Sequence, residues 1–308
     1  MQCAHRSCLD QDDAASSFSG ENPIKNGNDI PRINFTEQRA SQIMSGSGKV
    51  DRMRRASVLL DLLKFDEDLR QLLKTGRPVE NCPPTQGLQL TLFPCQVEHL
   101  IGVDEVGRGC LAGPVVAGAV SLRQINWNES LETELDRLND SKLIVTNTRN
   151  KLAEVLIQHT IWGIGQAAVD EINRLGITAA TELAMKRAVD ALLAKLQVAD
   201  SNSIVVVVDG RKPIEQLSLH QVPIPAADAK SACVAAASVI AKVHRDNIMK
   251  KLSAHHPEYK WALNKGYPSP SHLDALSSHG RTSEHRQSFA QAAVANLAAQ
   301  AAPSLLSL

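Results

Sequence analysis

Four carboxylates stand at places where chemistry is commonly done. Asp104 and Glu105 are adjacent and follow the short apolar run Leu100-Ile-Gly-Val103. Asp209 directly follows the β-branched run that starts at Ser203 and ends at Val208, and Asp228 stands just before an alanine-rich stretch. Taken singly, an acid at a strand end or a helix start is a cap or a turn former. Taken together they mean more, because sites in open α/β sheets form beyond the C-terminal ends of the strands. Acids gathered there repel one another unless a cation neutralises them. An oxygen-only ligand set favours a hard cation, Mg²⁺ or Mn²⁺, over zinc. Two such ions about 4 Å apart clamp the attacking water and the leaving oxygen of a phosphodiester. Asp104, Glu105, Asp209 and Asp228 are therefore candidate metal ligands and catalytic residues for metal-assisted phosphoryl hydrolysis.

Gly107-Arg-Gly109 comes next, with Gly113-Pro114 after it. Such glycines either make a tight turn or let the backbone approach a sugar-phosphate closely. The chain as a whole gives no electrostatic pointer to nucleic acid, since its 33 basic and 33 acidic residues cancel. A local pointer exists between residues 242 and 286. There Lys242, Arg245, Lys250, Lys251, Lys260, Lys265, Arg281 and Arg286 face only Asp246, Glu258, Asp274 and Glu284. Together with Lys142 they are expected to form a basic patch for a phosphate backbone.

The elements that must position these residues are legible from about residue 88. Strands are expected at 100–103, 115–120, 161–169 and 203–208, the last buried on both faces because it is continuously β-branched. Helices are expected at 147–159, 178–197 and 230–252, with one more closing the chain from about 285 to 300. Strands alternating with helices imply an α/β fold, a central sheet covered by helices. Upstream, Val58, Leu62, Phe65, Leu69 and Leu72 recur at alternating four- and three-residue steps. They predict an amphipathic helix over 51–74 that docks on the main domain. Gly76, Pro78, Pro83 and Pro84 mark a linker up to residue 87. Residues 1–50 are polar and aperiodic and are expected to be disordered, and 301–308 to be a flexible tail. Because the candidate acids all lie beyond residue 100, removing 1–87 is expected to leave catalysis within a few-fold of the full chain.

Composition sets the remaining bounds. The six cysteines (Cys3, Cys8, Cys82, Cys95, Cys110 and Cys233) make no C-x-x-C pair, which suits reduced thiols in a cytoplasmic protein. No secretory h-region and no apolar run of membrane-spanning length is visible, so no membrane association is expected.

Several of these segments together resemble the bacterial type of the ribonuclease HII family. Gly102-Val-Asp-Glu-Val-Gly-Arg-Gly109 with Gly113-Pro114 resembles its opening signature. Asp140-Ser-Lys-Leu143, Val208-Asp-Gly210, and Asp228-Ala-Lys230 with Ala235 to Asp246 resemble the motifs that follow. Asn264-Lys-Gly-Tyr-Pro268, His272 and His285 to Phe289 resemble the C-terminal signature. The order and spacing fit over about residues 98–290. The Gly-Arg-Gly form resembles type HII rather than type HIII, where Lys usually takes the middle position.

The resemblance implies a ribonuclease H-like fold: a mixed central sheet flanked by helices, with a helical C-terminal extension, in a catalytic domain over 88–300. It implies that Asp104, Glu105, Asp209 and Asp228 bind Mn²⁺ or Mg²⁺. It assigns Gly107, Arg108 and Gly109 to sensing the ribose 2′-hydroxyl, and Tyr267 to packing on the sugar at the RNA–DNA junction. Lys142 fits the same substrate-binding picture. The expected substrates are RNA–DNA hybrids and duplex DNA carrying ribonucleotides, cut 5′ of the ribonucleotide to leave 3′-hydroxyl and 5′-phosphate ends. A monomer is expected. Gln89-Leu-Thr-Leu-Phe93 resembles the short peptide by which bacterial replication proteins dock on the sliding clamp, although with only five residues the plainer reading is the family's first strand leading into Pro94. Two rival readings are another two-metal nuclease or transposase on the same fold, and a non-catalytic nucleic-acid-binding protein. His272 and His285 are read as structural hydrogen-bonders rather than catalysts.

Overall fold

In the computed structural model, the described residues are 48–75, 97–123, 125–139, 141–196, 198 and 200–301. The candidate clamp peptide Gln89–Phe93, the linker at 76–87, the segment 1–47, the tail beyond 301, Asp140 and the cysteines Cys3, Cys8, Cys82 and Cys95 lie outside them.

The elements run α1 (Gly48–Thr75), β1 (His99–Val106), β2 (Val115–Ser121), α2 (Glu129–Glu134), α3 (Thr146–His159), β3 (Ile161–Ala167), α4 (Val169–Leu175), α5 (Ile177–Leu193), β4 (Ile204–Asp209), β5 (His220–Ile224), α6 (Ala232–His255), α7 (Trp261–Asn264), α8 (Pro270–His279) and α9 (Gln287–Ala301). The sheet order is β3-β2-β1-β4-β5. β1 pairs antiparallel with β2 and β2 with β3, whereas β1–β4 and β4–β5 are parallel. This is the mixed, helix-flanked sheet of the ribonuclease H-like fold.

Alternation along β1 sends Leu100 into one core and Ile101 and Val103 into the other. The first core is closed by α6, which lies hard on the sheet: a Cβ at Gly102 would overlap the Cys233 backbone, and one at Gly118 would overlap Ala237. The second is closed by α5, against Gly163 and Gly165 of β3. Glycines on the strands and alanines on the helices let backbone approach backbone. A third cluster, with Leu111, Met249, Tyr259, Trp261 and Leu276, packs the C-terminal helices onto the far part of α6.

Two expectations about strands need correction. β1 does not end at Val103 but runs to Val106, because its antiparallel pairing with β2 continues after its parallel pairing with β4 has stopped. The strand β5 has no counterpart among the expected elements. It contains Pro223, which cannot donate to a ladder, and it is an edge strand, where proline is tolerated. α1 covers the expected helix and begins at Gly48, and it falls in one compact unit with the sheet. Among the described residues, no helix is long and apolar enough to cross a membrane.

Candidate active site

The parallel ladder between β1 and β4 ends at the pair Val103↔Val208. The next residue on each strand is an aspartate, so Asp104 and Asp209 are brought to the same level of the sheet. Glu105 follows, and one carboxylate oxygen from each of Asp104, Glu105 and Asp209 lies within 4.8 Å of the others. Asp228 stands beside this trio rather than within it. It sits on a 3-10 turn, Ala227–Ala229, just before α6, and that turn is tied to the trio by the Ala227 N–H, which donates to Asp209 Oδ1 at 2.7 Å. Ala226, immediately before the turn, is held at φ 54°, a left-handed conformation unfavourable for a residue with a Cβ.

Asp104 is 5% exposed. Its Oδ1 accepts the Glu105 N–H at 2.7 Å, and the Ser238 hydroxyl on α6 is a further hydrogen-bond partner. Burial, then the charges of Glu105 and Asp209, hold its carboxyl well above the usual carboxylate range despite these donors. Burial also raises Glu105, against the pull of Arg108. Acids this close destabilise one another unless positive charge is supplied. The donors are all carboxylate oxygens, and the set fits a hard divalent cation.

Two cationic side chains border the acids. Lys142 is exposed, with Nζ 3.7 Å from Asp228 Oδ2, and Arg108 reaches Glu105 Oε1 at 3.4 Å. The segment carrying Lys142 is pinned from below. Buried Arg149 on α3 donates to the carbonyls of Ser141 (2.8 Å) and Ile144 (2.6 Å). The Ser141 and Ser238 hydroxyls meet at 2.8 Å. Ser238 thus touches both the lysine-bearing segment and Asp104. Sequence reasoning missed Ser141, Arg149 and Ser238; Ser238 could have been suspected as the one hydroxyl in the alanine-rich stretch Ala235 to Ala241.

The Gly107–Gly109 turn and Tyr267 belong to one hydrogen-bonded assembly. Arg245, fully buried, donates to the carbonyls of Pro114 (2.9 Å), Ala112 (3.1 Å) and Lys265 (2.8 Å). Arg286, also fully buried, donates to Gly113 O (2.9 Å) and Arg108 O (2.8 Å). Burial lowers the Arg286 guanidinium to about 10, so it stays charged at neutral pH. Gly107 has φ +93°, and a Cβ there would overlap the Arg245 side chain. Gly266 has φ +83° and would meet Ala112 in the same way. Around Gly109 there is open space.

These contacts correct the expected basic patch. Arg245 and Arg286 sit inside the protein as braces for backbone carbonyls, and Lys242 is engaged by Asp246 at 2.6 Å. Three of the eight cations are therefore spent on the fold. A guanidinium tolerates burial where carbonyl oxygens accept from it, as they do from all three nitrogens of Arg245 and from Nε and Nη1 of Arg286, whose Nη2 is buried without a partner among the described residues.

Tyr267 is 41% exposed and is not a core aromatic. The core aromatics are Tyr259 and Trp261, stacked at 5.0 Å. The Tyr267 backbone is fixed by its N–H to Asn264 O at 3.0 Å and by His272 Nδ1, 2.9 Å from its carbonyl. Trp261 Nε1 donates to His272 Nε2 at 3.0 Å, so the His272 proton is on Nδ1 and donates to Tyr267 O. His285 then donates from Nε2 to His272 Nε2 at 3.2 Å and accepts the Thr282 N–H on Nδ1 at 3.0 Å. Both histidines serve as structural hydrogen-bonders, and both are spoken for as neutral rings.

A sequence model of the family Ribonuclease HII matches residues 101–292. The ribonuclease HII of Paramagnetospirillum magneticum is 45% identical over 192 residues, which are 62% of this chain and 90% of that protein. That of Paracoccus denitrificans is 40% identical over 207 residues, 67% of this chain and 92% of that protein. Among solved structures, Bst-RNase HIII in complex with Mn²⁺ superposes with a TM-score of 0.53 at 17% identity, over 72% of this chain and 75% of that one. That likeness concerns the fold. The family model spans the sheet from β1 and reaches into α9, and on that extent the chain belongs to the ribonuclease HII family.

Proposed function

We propose that this ribonuclease cuts the phosphodiester on the 5′ side of a ribonucleotide, in RNA–DNA hybrids and at single ribonucleotides in duplex DNA, leaving 3′-hydroxyl and 5′-phosphate ends. The observation that carries the reading is the level placement of Asp104 and Asp209 with Glu105 beside them, next to the braced Gly107–Gly109 turn. Asp104, Glu105, Asp209 and Asp228 would hold two divalent cations, Mg²⁺ or Mn²⁺. When bound, these ions supply positive charge that offsets the acids and stabilises the charge developing on the phosphate.

The chain's other residues orient the substrate. Exposed Lys142 offers its ammonium to a backbone phosphate beside the acids. Gly107, Arg108 and Gly109 present backbone to the ribose, and the 2′-hydroxyl is the group that separates RNA from DNA at a site. The half-exposed Tyr267 ring offers a face to the sugar at the junction. Water is the nucleophile, so no covalent enzyme intermediate forms. The deciding experiment is cleavage of a duplex carrying one ribonucleotide, with Mg²⁺ or Mn²⁺, mapped to the nucleotide. Cutting of an all-DNA duplex at a comparable rate, or none of the ribonucleotide duplex, would refute it.

A further inference from the structure

Helix α1 lies outside the stretch that matches the family, yet it is built into the core. Leu59, Leu62, Leu69 and Leu73 are buried in the same cluster as Leu100, Val120, Cys233 and Ala236. Among these leucines sits an acid, Asp66, 5% exposed. Its Oδ2 accepts the Cys233 N–H at 3.0 Å, and Ser231 is a further hydrogen-bond partner. Cys233 is the second residue of α6, where backbone N–H groups lack partners within the helix. Ser231 caps the same turn from within, accepting the Val234 N–H at 3.3 Å. The N-terminus of α6 is thus closed by two side chains, one of them supplied by α1.

Docking alone does not call for this residue. An apolar side chain would bury as well among leucines, without the cost of desolvating a carboxylate. What Asp66 holds is the end of α6 that borders the acids. Asp228 lies three residues before the Ser231 cap. The Cys233 backbone rests on Gly102, two residues before Asp104, and further along α6 Ser238 touches the Asp104 carboxyl. The height of α6 on β1 therefore sets Asp228 and Ser238 against Asp104.

We infer that Asp66 is a positioning residue for the acidic cluster and that α1 belongs to the catalytic unit. The inference rests on the reading of Asp104, Glu105, Asp209 and Asp228 as cation ligands. It reverses the expectation that residues 1–87 are dispensable, because α1 lies within that stretch.

The test uses the full chain. Asp66→Val removes the acceptor while filling the apolar space; Asp66→Ala removes it without filling. Asp66→Asn keeps a carboxamide oxygen for the Cys233 N–H. Mn²⁺ binding is measured by calorimetry without substrate, amide exchange at Cys233 and Val234 is followed, and kcat and KM are measured below the melting temperature. In the Val and Ala variants the Mn²⁺ dissociation constant should rise about 10-fold or more. kcat should fall while KM for the duplex stays within about two-fold, and exchange at the two amides should quicken. Asn should restore all three. Folded Val and Ala variants with wild-type Mn²⁺ affinity and kcat, lower melting being their only defect, would overturn the inference and leave α1 a stabilising strut. Absence of Mn²⁺ binding in the wild type, or normal turnover in Asp104→Asn, would instead bring down the cation-ligand reading, and this inference with it.

Discussion

Asp104 and Asp209 are level neighbours on β1 and β4, each the first residue after the terminal parallel pair Val103↔Val208. The parallel ladder delivers two carboxylates to one place at the sheet's C-terminal edge, and burial of Asp104 raises the cost of their meeting. Such a pair works against the fold, and the proposed cations would offset that cost. Asp104→Asn and Asp209→Asn should each abolish turnover at saturating Mn²⁺ while the protein remains folded. Removing one of the repelling charges should also raise the melting temperature of the metal-free protein. Near wild-type single-turnover rates in either variant would remove the acids from the chemistry.

Gly107 and Gly109 should separate in their effects although only Arg108 lies between them. Gly107 is at φ +93° against Arg245, so Gly107→Ala should lower the melting temperature and disturb the brace. Strain at such a position costs on the order of 1–3 kcal/mol. Gly109 has nothing near its would-be Cβ. Gly109→Val should therefore leave melting almost unchanged and cut cleavage strongly, because the added side chain would fill the open space through which the substrate backbone is proposed to approach. Parallel melting and single-turnover measurements decide it, and unimpaired cleavage by Gly109→Val would mean that the turn does not meet the substrate.

Much of this was legible in the sequence, for a physical reason. A β-branched run that stops at an acid announces both a buried strand and the point where it reaches solvent, and β4 with Asp209 is such a case. β5 was not legible because Pro223 argues against a strand unless the edge position is already known. The roles of Arg245 and Arg286 were hidden, since charge is written in the sequence and burial is not. Asp66 left a trace: it lies four residues after Leu62 and three before Leu69, on the buried face of α1, where an acid is out of place. The periodicity identified the helix, while the partner N–H that accounts for that acid lies 167 residues away.

Tyr267 should prove a surface residue that acts on substrate. Its ring is partly exposed, and the surrounding stability comes from Tyr259, Trp261 and the two histidines. Tyr267→Ala should cost well under the roughly 3–5 kcal/mol typical of a buried aromatic truncation, yet greatly reduce cleavage at isolated ribonucleotides. Tyr267→Phe should retain most activity because the ring face is kept. Thermal unfolding and single-turnover rates on both variants test this. A large melting loss with normal turnover would return Tyr267 to a packing role.

The histidine chain predicts acid lability with a definite sign. Burial, followed by the influence of His272, lowers His285 to about 4, against about 6.5 for a free histidine. His99 is likewise lowered to about 4, by burial and then Arg123. Between pH 6.5 and 4 the unfolded chain binds protons at these sites that the folded protein refuses. Stability is then fully present above about pH 6.5 and falls as pH drops toward 4, with a slope approaching two protons from this pair. The geometry supports the refusal at His285: a proton on Nδ1 would face the Thr282 N–H, which that nitrogen accepts at 3.0 Å. His285→Gln removes one titrating group, so its stability should be lower at pH 7 but should decline less steeply between pH 6.5 and 4. Denaturant unfolding across that range, on wild type and variant, measures both slopes. Equal slopes would mean that His285 protonates in the folded protein as readily as in the unfolded chain, and that the chain from Thr282 through His272 to the Tyr267 carbonyl is not held in the neutral form.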